Sequence, residues 1–285
     1  MINLNKPLII ENMKRVLFLV TAVLMISASS CTKSDQPAEN NDLIIHDAFL
    51  EQVSAESDGI LGEIMQLTSF FPVTKGFWGE QFLTGTVTIS MRDSSSVRIV
   101  TVDFGTGNKG IDGKTRSGVL VAYIFANTKL NTDQKLKYQN FKVEGYLYNG
   151  QMTKNITRQI DSNSQQAVIT EDFKVTFPDG VKFNQRVASM TRLYKFGDPK
   201  TLDDNTIQTF GTVTLTNEKS ATQTKKIAEA TPLLFKAVPG EIVKGIATTT
   251  FGDGKIITID YGDGTADNKA TVSNGTKTWT ITLKK

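Results

Sequence analysis

Two hydrophobic periods divide the chain. From Asp47 to Leu67 the apolar residues Phe49, Leu50, Val53, Ile60, Leu61, Ile64, Met65 and Leu67 recur at steps of three and four, the period of a helix with one buried face. Asp47 or Asn41 supplies a cap, and the Asp58-Gly59 pair predicts a kink or a division into two short helices. From about Thr84 onward the period falls to two. Val100, Val102 and Phe104 alternate with polar partners, as do Phe173, Val175 and Phe177, and Trp279, Ile281 and Leu283. Threonine is frequent at the intervening positions, which suits the solvated face of a pleated sheet. The unalternated run Val119 to Ala126 predicts a central strand covered on both faces.

Turn chemistry punctuates these strands. In Phe177-Pro178-Asp179-Gly180-Val181 the proline presets φ and the glycine takes a positive φ at no steric cost, so the flanking runs should pair as a hairpin. Tyr148-Asn149-Gly150, Ser273-Asn274-Gly275 and Phe251-Gly252-Asp253-Gly254 are expected to turn likewise. Ten or more strands at such spacing predict an all-β fold, an antiparallel sandwich or elongated sheet with one N-terminal helix. Pro232 to Gly240 interrupts the pattern and sets off a candidate C-terminal subdomain, residues 241–285.

The start of the chain obeys neither period. Lys14-Arg15, the apolar run Val16 to Ile26 and Ser27-Ala28-Ser29-Ser30 before Cys31 have the layout of a secretory signal, and the run is too short to span a bilayer. Cys31 is the one cysteine present, so no disulfide can form within the chain. The arrangement resembles a bacterial lipoprotein signal. That resemblance implies cleavage after residue 30, lipid attachment at Cys31 and anchoring to a membrane, expected to be the outer membrane, on its periplasmic or cell-surface face. Residues 31–45, rich in Ser, Gln, Pro, Asn and acids, are expected to form a flexible tether, leaving 46–285 as the β-rich domain. Asp35 and Glu39 loosely resemble the acids that favour surface display in some Bacteroidota.

Charge narrows the partners. Removing residues 1–30 takes Lys6, Lys14, Arg15 and Glu11 away and leaves acids and bases nearly balanced, with no basic face for nucleic acid. Two glycine–aspartate stretches, Asp103 to Gly118 and Asp260 to Ala270, carry the remaining candidate chemistry. Both run from strand to strand, whereas a phosphate-cradling loop must open a helix. Asp260, Asp263 and Asp267 are hard-oxygen ligands from one loop, but without the spacing or closing glutamate of an EF-hand. Turn formation by Asp and Gly is the favoured reading, and the metal question stays open.

These two stretches, D-F-G-T-G with D-G-K-T-R-S-G, and Y-G-D-G-T-A-D-N-K-A, resemble motifs of uncharacterised Bacteroidota all-β lipoproteins. The resemblance implies architecture and location, since that family has no established activity. Tyr261-Gly262-Asp263-Gly264-Thr265 also resembles the signature of polycystic-kidney-disease-type β-sandwich modules, extracellular spacers or binding domains.

No catalytic constellation emerges. His46 is the single histidine and is expected at the surface or the helix start; no serine stands in a nucleophile elbow, and neither H-E-x-x-H nor a Cys–His cluster occurs. Trp78, Tyr146, Tyr148 and Tyr194 are either sugar-stacking or packing residues, and Phe70-Phe71-Pro72 with Phe77-Trp78 is expected to pack the helix on the sheet. The expectation is therefore a non-catalytic cell-envelope structural or binding module, without cofactor, taking a glycan or an envelope protein as ligand. The alternative is a carboxylate-based glycan hydrolase, which needs only two suitably separated acids.

Overall fold

A computed structural model describes residues 38–67, 82–126, 131–158, 164–197, 204–236 and 240–283. Helix α1 (Ala38–Leu67) precedes fifteen strands: β1 (Thr88–Ser94), β2 (Val97–Asp103), β3 (Asn108–Lys109), β4 (Thr115–Ala126), β5 (Asn131–Val143), β6 (Tyr146–Arg158), β7 (Ser164–Thr176), β8 (Phe183–Lys195), β9 (Thr206–Asn217), β10 (Thr222–Ile227), β11 (Leu233–Lys236), β12 (Glu241–Phe251), β13 (Ile256–Asp263), β14 (Lys269–Ser273) and β15 (Thr278–Thr282). The fold is all-β with one N-terminal helix, as the change of period predicts.

All fifteen strands belong to one antiparallel sheet rather than two stacked ones. It follows chain order from β1 to β15, with β3 against β4 and β11 bridging β9 and β12 at the sides of the main path. Residues Leu43–Lys285 form one compact unit. The candidate subdomain 241–285 is no separate body, because β12 pairs with both β10 and β11 and carries the sheet onward. Pro232 lies in the connection between β10 and β11 rather than at a boundary, and Pro239 lies outside the described residues.

The sheet curls around α1. Side chains at every angle of the helix are buried between Ile44 and Met65, including Asp47, Glu51, Glu56, Asp58 and Glu63. The one-sided helix expected from the sequence is thus a central one, and its polar positions face the sheet instead of water. It begins at Ala38, inside the segment expected to be a tether, and Ile44 and Ile45 already bury apolar surface before Asp47. It also passes through Asp58-Gly59 as a single element. The loss of propensity there is offset by packing, since Gly59, Ile60 and Leu61 are all buried.

Alternation sorts the sheet's two faces. Val100, Val102 and Phe104, and Phe173 with Val175, point inward. Phe104, Tyr138, Phe141, Tyr148 and Phe173 form an aromatic cluster with centroids 5.4–6.1 Å apart. Threonines occupy the outer face, as in the cross-strand row Thr153, Thr170, Ser189 and Thr212. The run Val119 to Ala126 follows its reading in part: Leu120, Ala122 and Ile124 are buried inward, and on the outer side Val121 is buried while Val119, Tyr123 and Phe125 are half-buried. The strand lies near one end of the sheet, and Lys137 Nζ, 5.6 Å from the Tyr123 ring centroid, provides part of the cover.

The hairpin at Pro178-Asp179-Gly180 forms as predicted, with Gly180 at φ 72° and Asp179 accepting bonds from Val181 and Lys182 N–H at 2.9 Å. Turns at Phe251 to Gly254 and Ser273 to Gly275 also form. Tyr148-Asn149-Gly150 does not turn; it lies inside β6. Gly150 has φ 123°, and a Cβ there would sit 2.3 Å from the carbonyl oxygen of Asp172 on β7. Gly211 repeats the arrangement in β9, at φ 135° and 2.3 Å from the oxygen of Ser189. Glycines placed so let a long strand kink and bring its neighbour close, which helps one sheet bend around a helix.

Candidate functional site

Among the described residues the densest chemistry is the charged seam between α1 and the sheet. Asp47, Glu51, Ser54 and Asp58 recur at steps of four, three and four, so they form one stripe along the helix. Facing them are inward side chains of β6, β7, β8 and β10, each occupying a position that alternation assigns to the core: Lys154, Glu171, Arg186, Arg192 and Lys225.

The groups join into one chain. Asp58 receives Lys154 Nζ and the Tyr194 hydroxyl, and Arg192 Nη1 at 3.1 Å. Arg192 Nη2 donates to Ser54 Oγ at 2.5 Å, and Ser54 donates in turn to Glu171. Arg186 donates Nε to Glu171 at 2.6 Å and Nη2 to Glu51 at 3.0 Å. Lys225 Nζ closes the series, 2.7 Å from Glu51 and 2.8 Å from Asp47. Beside the chain, Tyr138 donates to Ser57 Oγ at 2.6 Å.

The opposite side of the helix is held separately. Arg116, with no exposed surface, donates Nε to Glu56 at 3.1 Å and reaches Asp112 with Nη1 and Nη2 at 2.9 and 2.6 Å. Lys114 Nζ lies 2.8 Å from Glu56. Glu63 accepts backbone N–H bonds from Phe82 at 2.9 Å and Leu83 at 2.8 Å. The D-G-K-T-R stretch, read from sequence as turn chemistry, therefore also clamps the helix with Asp112, Lys114 and Arg116.

Electrostatics follow geometry. Burial pushes the Asp58 carboxyl up, but Lys154 and Arg192 outweigh it and hold the group below its usual range. Glu51 is likewise held low, by Arg186 and Lys225 against burial. Asp47 goes the other way: burial dominates, and Glu51 beside it adds to the rise although Lys225 opposes both. Lys154 is depressed by burial in spite of Asp58, whereas Lys225, facing two carboxylates, is raised. Two neighbouring carboxylates thus have opposite shifts, a pattern also used for acid–base pairs. The cavity beside Glu51, lined by Ala55, Arg192, Ile207 and Leu233 among others, measures about 20 Å³, room for little more than one water.

The residues singled out in the sequence are dispersed. Cys31, Phe70, Phe71, Pro72, Phe77 and Trp78 lie outside the described residues, as do 1–30. His46 sits within the helix, half-buried, its ring 4.9 Å from that of Phe177. Tyr148 and Tyr194 are buried, and Tyr146 packs on Phe49 and Phe177 at 4.9 and 5.3 Å, so Tyr146 and Tyr148 serve packing while Tyr194 also donates to Asp58 in the seam. In the C-terminal loop, Asp260, Asp263 and Asp267 each accept the backbone N–H two residues on, at 2.9–3.1 Å. Among the described residues no group of three or more His, Cys, Asp or Glu is placed to hold a metal ion, and no helix is long and apolar enough to cross a membrane.

Sequence reading missed the seam because its cations lie on strands far along the chain from the helix acids. A signal was present in phase: Arg186, Arg192 and Lys225 fall on the apolar beat of their strands, a place where charge is rarely buried unless paired. Fold and seam together define an all-β protein built around a buried, ion-paired helix. No known protein family, curated protein or solved structure matches the chain.

Proposed function

We propose that the chain is an exported, lipid-anchored module of the cell envelope that binds or scaffolds without catalysis, its β domain held out from an outer membrane through Cys31. The observation that carries the non-catalytic part is the use made of the acids. Every carboxylate of α1 from Asp47 to Glu63 is buried and met by a cation or by backbone N–H groups. Charges spent this way fix one structure rather than turn over a substrate. The signal-like run Val16 to Ile26 before Cys31 supports export and anchoring. The outer face of long, regular strands is the surface left for partners.

Fractionation and protease shaving of cells producing the protein and its Cys31→Ser variant test the reading. The parent should stay with the membranes and the variant should be released. Equal membrane association of the two would refute lipid anchoring. Cleavage of the domain on intact cells, with a periplasmic control protected, would place partners outside the cell; protection until the outer membrane is opened would place them in the periplasm. Hydrolysis of a polysaccharide that is lost on replacing a single acid would replace this reading with the hydrolase one.

A further inference from the structure

The outer face of β5 to β8 carries a shallow, open groove of about 540 Å³. Two rows of side chains line it. Lys137, Gln151 and Asp172 stand side by side on β5, β6 and β7; Asn149, Lys174 and Gln185 do so on β6, β7 and β8. Between the rows runs the backbone of Gly150, and a register shift between Tyr138 and Phe141 bends β5 alongside it.

The geometry points to this groove as a binding site for an acidic glycan, a chain of sugars bearing carboxylates. The inference rests on reading the protein as a binding module. Planar amides of Asn149 and Gln151 offer donor and acceptor side by side, the arrangement that pairs with adjacent hydroxyls. Neighbouring strands lie about 4.8 Å apart, close to the length of one pyranose, so successive sugars laid across the strands meet successive side chains.

Charge selects the acid. Lys137 and Lys174 face the groove against one carboxylate, Asp172, which already accepts a hydrogen bond from Gln185. Lys135 and Lys142 extend the cationic side along β5, against Asp133, which accepts from Asn155. The two groove ammoniums are placed over rings, Lys137 Nζ 5.6 Å from the Tyr123 centroid and Lys174 Nζ 5.0 Å from that of Phe183, which restrains where each charge stands. Two lysines among three amides, against one carboxylate, suit a uronic acid chain better than a neutral one.

Isothermal titration of the purified protein with trigalacturonate, galactotriose and sodium sulfate decides the matter. Trigalacturonate should bind, more weakly as salt is added, and galactotriose about tenfold or more weakly still. The double variant Lys137→Gln, Lys174→Gln should lose about tenfold or more in trigalacturonate affinity, and Asn149→Ala with Gln151→Ala should weaken both sugars. All four positions are on the outer face, so the melting temperature should not move appreciably. Absence of trigalacturonate binding, equal affinity for galactotriose, displacement by sulfate at matched concentration, or indifference to the lysine variant would each overturn the inference while leaving the envelope-module reading in place. Recovery of the trisaccharide is followed by chromatography in parallel. Its cleavage would refute the non-catalytic reading, and the lysine variant would still decide the groove.

Discussion

Replacing Asp58 by asparagine removes one charge and almost no volume from the seam, which makes it the sharpest probe of what the seam does. Asp58 is buried and neutralises Lys154 and Arg192 together. In the variant Arg192 keeps its bond to Ser54 at 2.5 Å, whereas Lys154 loses its one anion and is left with the neutral amide oxygen and the Tyr194 ring, 4.5 Å from its Nζ. Breaking one side of a buried ion pair costs about 3–5 kcal/mol. Lys154 can escape by losing its proton. From its ordinary value of 10.5 this costs about 1.4 kcal/mol for each unit above ambient pH, so about 5 kcal/mol at pH 7 and about 2 kcal/mol at pH 9. The two figures agree at pH 7, and the second predicts that the penalty shrinks in alkali. Urea unfolding of the protein and the Asp58→Asn variant, followed by circular dichroism at pH 7 and pH 9, measures both. A loss of about 4 kcal/mol corresponds to a fall of roughly 8–16 °C in melting temperature for a domain of this size. Adding Lys154→Met should restore most of the loss, since the stranded charge is then gone. A penalty below about 1 kcal/mol at pH 7 would mean that the pair behaves as an exposed one and that the seam is not the lock described here.

Asp47→Asn should behave differently: its folded-state carboxyl is raised and Lys225 retains Glu51, so the change should cost about 1 kcal/mol or less, and a loss equal to that of Asp58→Asn would contradict the assignment. Acid titration of stability follows from the depressed carboxyls of Asp58 and Glu51, whose contribution is complete above the ordinary carboxylate range and is lost as pH falls through their folded values. Unfolding free energy should therefore hold from pH 7 to about pH 5 and decline below about pH 4, and a decline already under way at pH 6 would point to other groups. Gly150→Val must force a Cβ against the Asp172 carbonyl at φ 123°, so about 3 kcal/mol or more should disappear in urea unfolding, against about 1 kcal/mol for Gly254→Ala, where the space is open. A chelator should leave the melting temperature unchanged, because Asp260, Asp263 and Asp267 are engaged in their own turns; a fall reversed by calcium would reopen the cation reading of that loop.

Where the sequence was legible, the information was local. The alternation in Phe173 to Val175 states which face of β7 is buried, and the Pro178-Asp179-Gly180 turn states where that strand meets the next. Where it was not, two signals of equal local weight had different tertiary outcomes. Asn149-Gly150 has the composition of a hairpin turn, yet Gly150 is needed where β6 comes against β7, and the chain turns earlier, at Glu144 and Gly145, with φ 49° and 82°. Asp47, Glu51, Ser54 and Asp58 read as the solvated face of an amphipathic helix. Nothing in the helix itself distinguishes water from Arg186 and Lys225 as the partner of that stripe. The distinction is written in β8 and β10, where cations take core positions, and only the pairing of strands brings them back to the helix. The groove was illegible for the same reason, since its two rows draw on four strands.

Buried charge is a poor source of net stability, since well-packed apolar groups of similar volume do as well or better, so its placement here calls for another account. Register supplies one. A sheet that follows chain order through fifteen strands could slide along a smooth apolar helix, and on its outer face threonine follows threonine with little to tell one alignment from the next. The inward cations remove that freedom. Shifting β8 by one residue against its neighbours would turn Arg186 and Arg192 outward and leave Glu51, Asp58 and Glu171 buried without them, in addition to exposing Ala188, Met190 and Tyr194. Rotating the helix would strand the same acids, and Glu56 against Arg116 on the far side forbids the compensating turn. The seam thus specifies one register and one helix orientation at once. It also explains why the outer face can remain regular and polar, free to present rows of amides and lysines: specification of the fold has been moved inside.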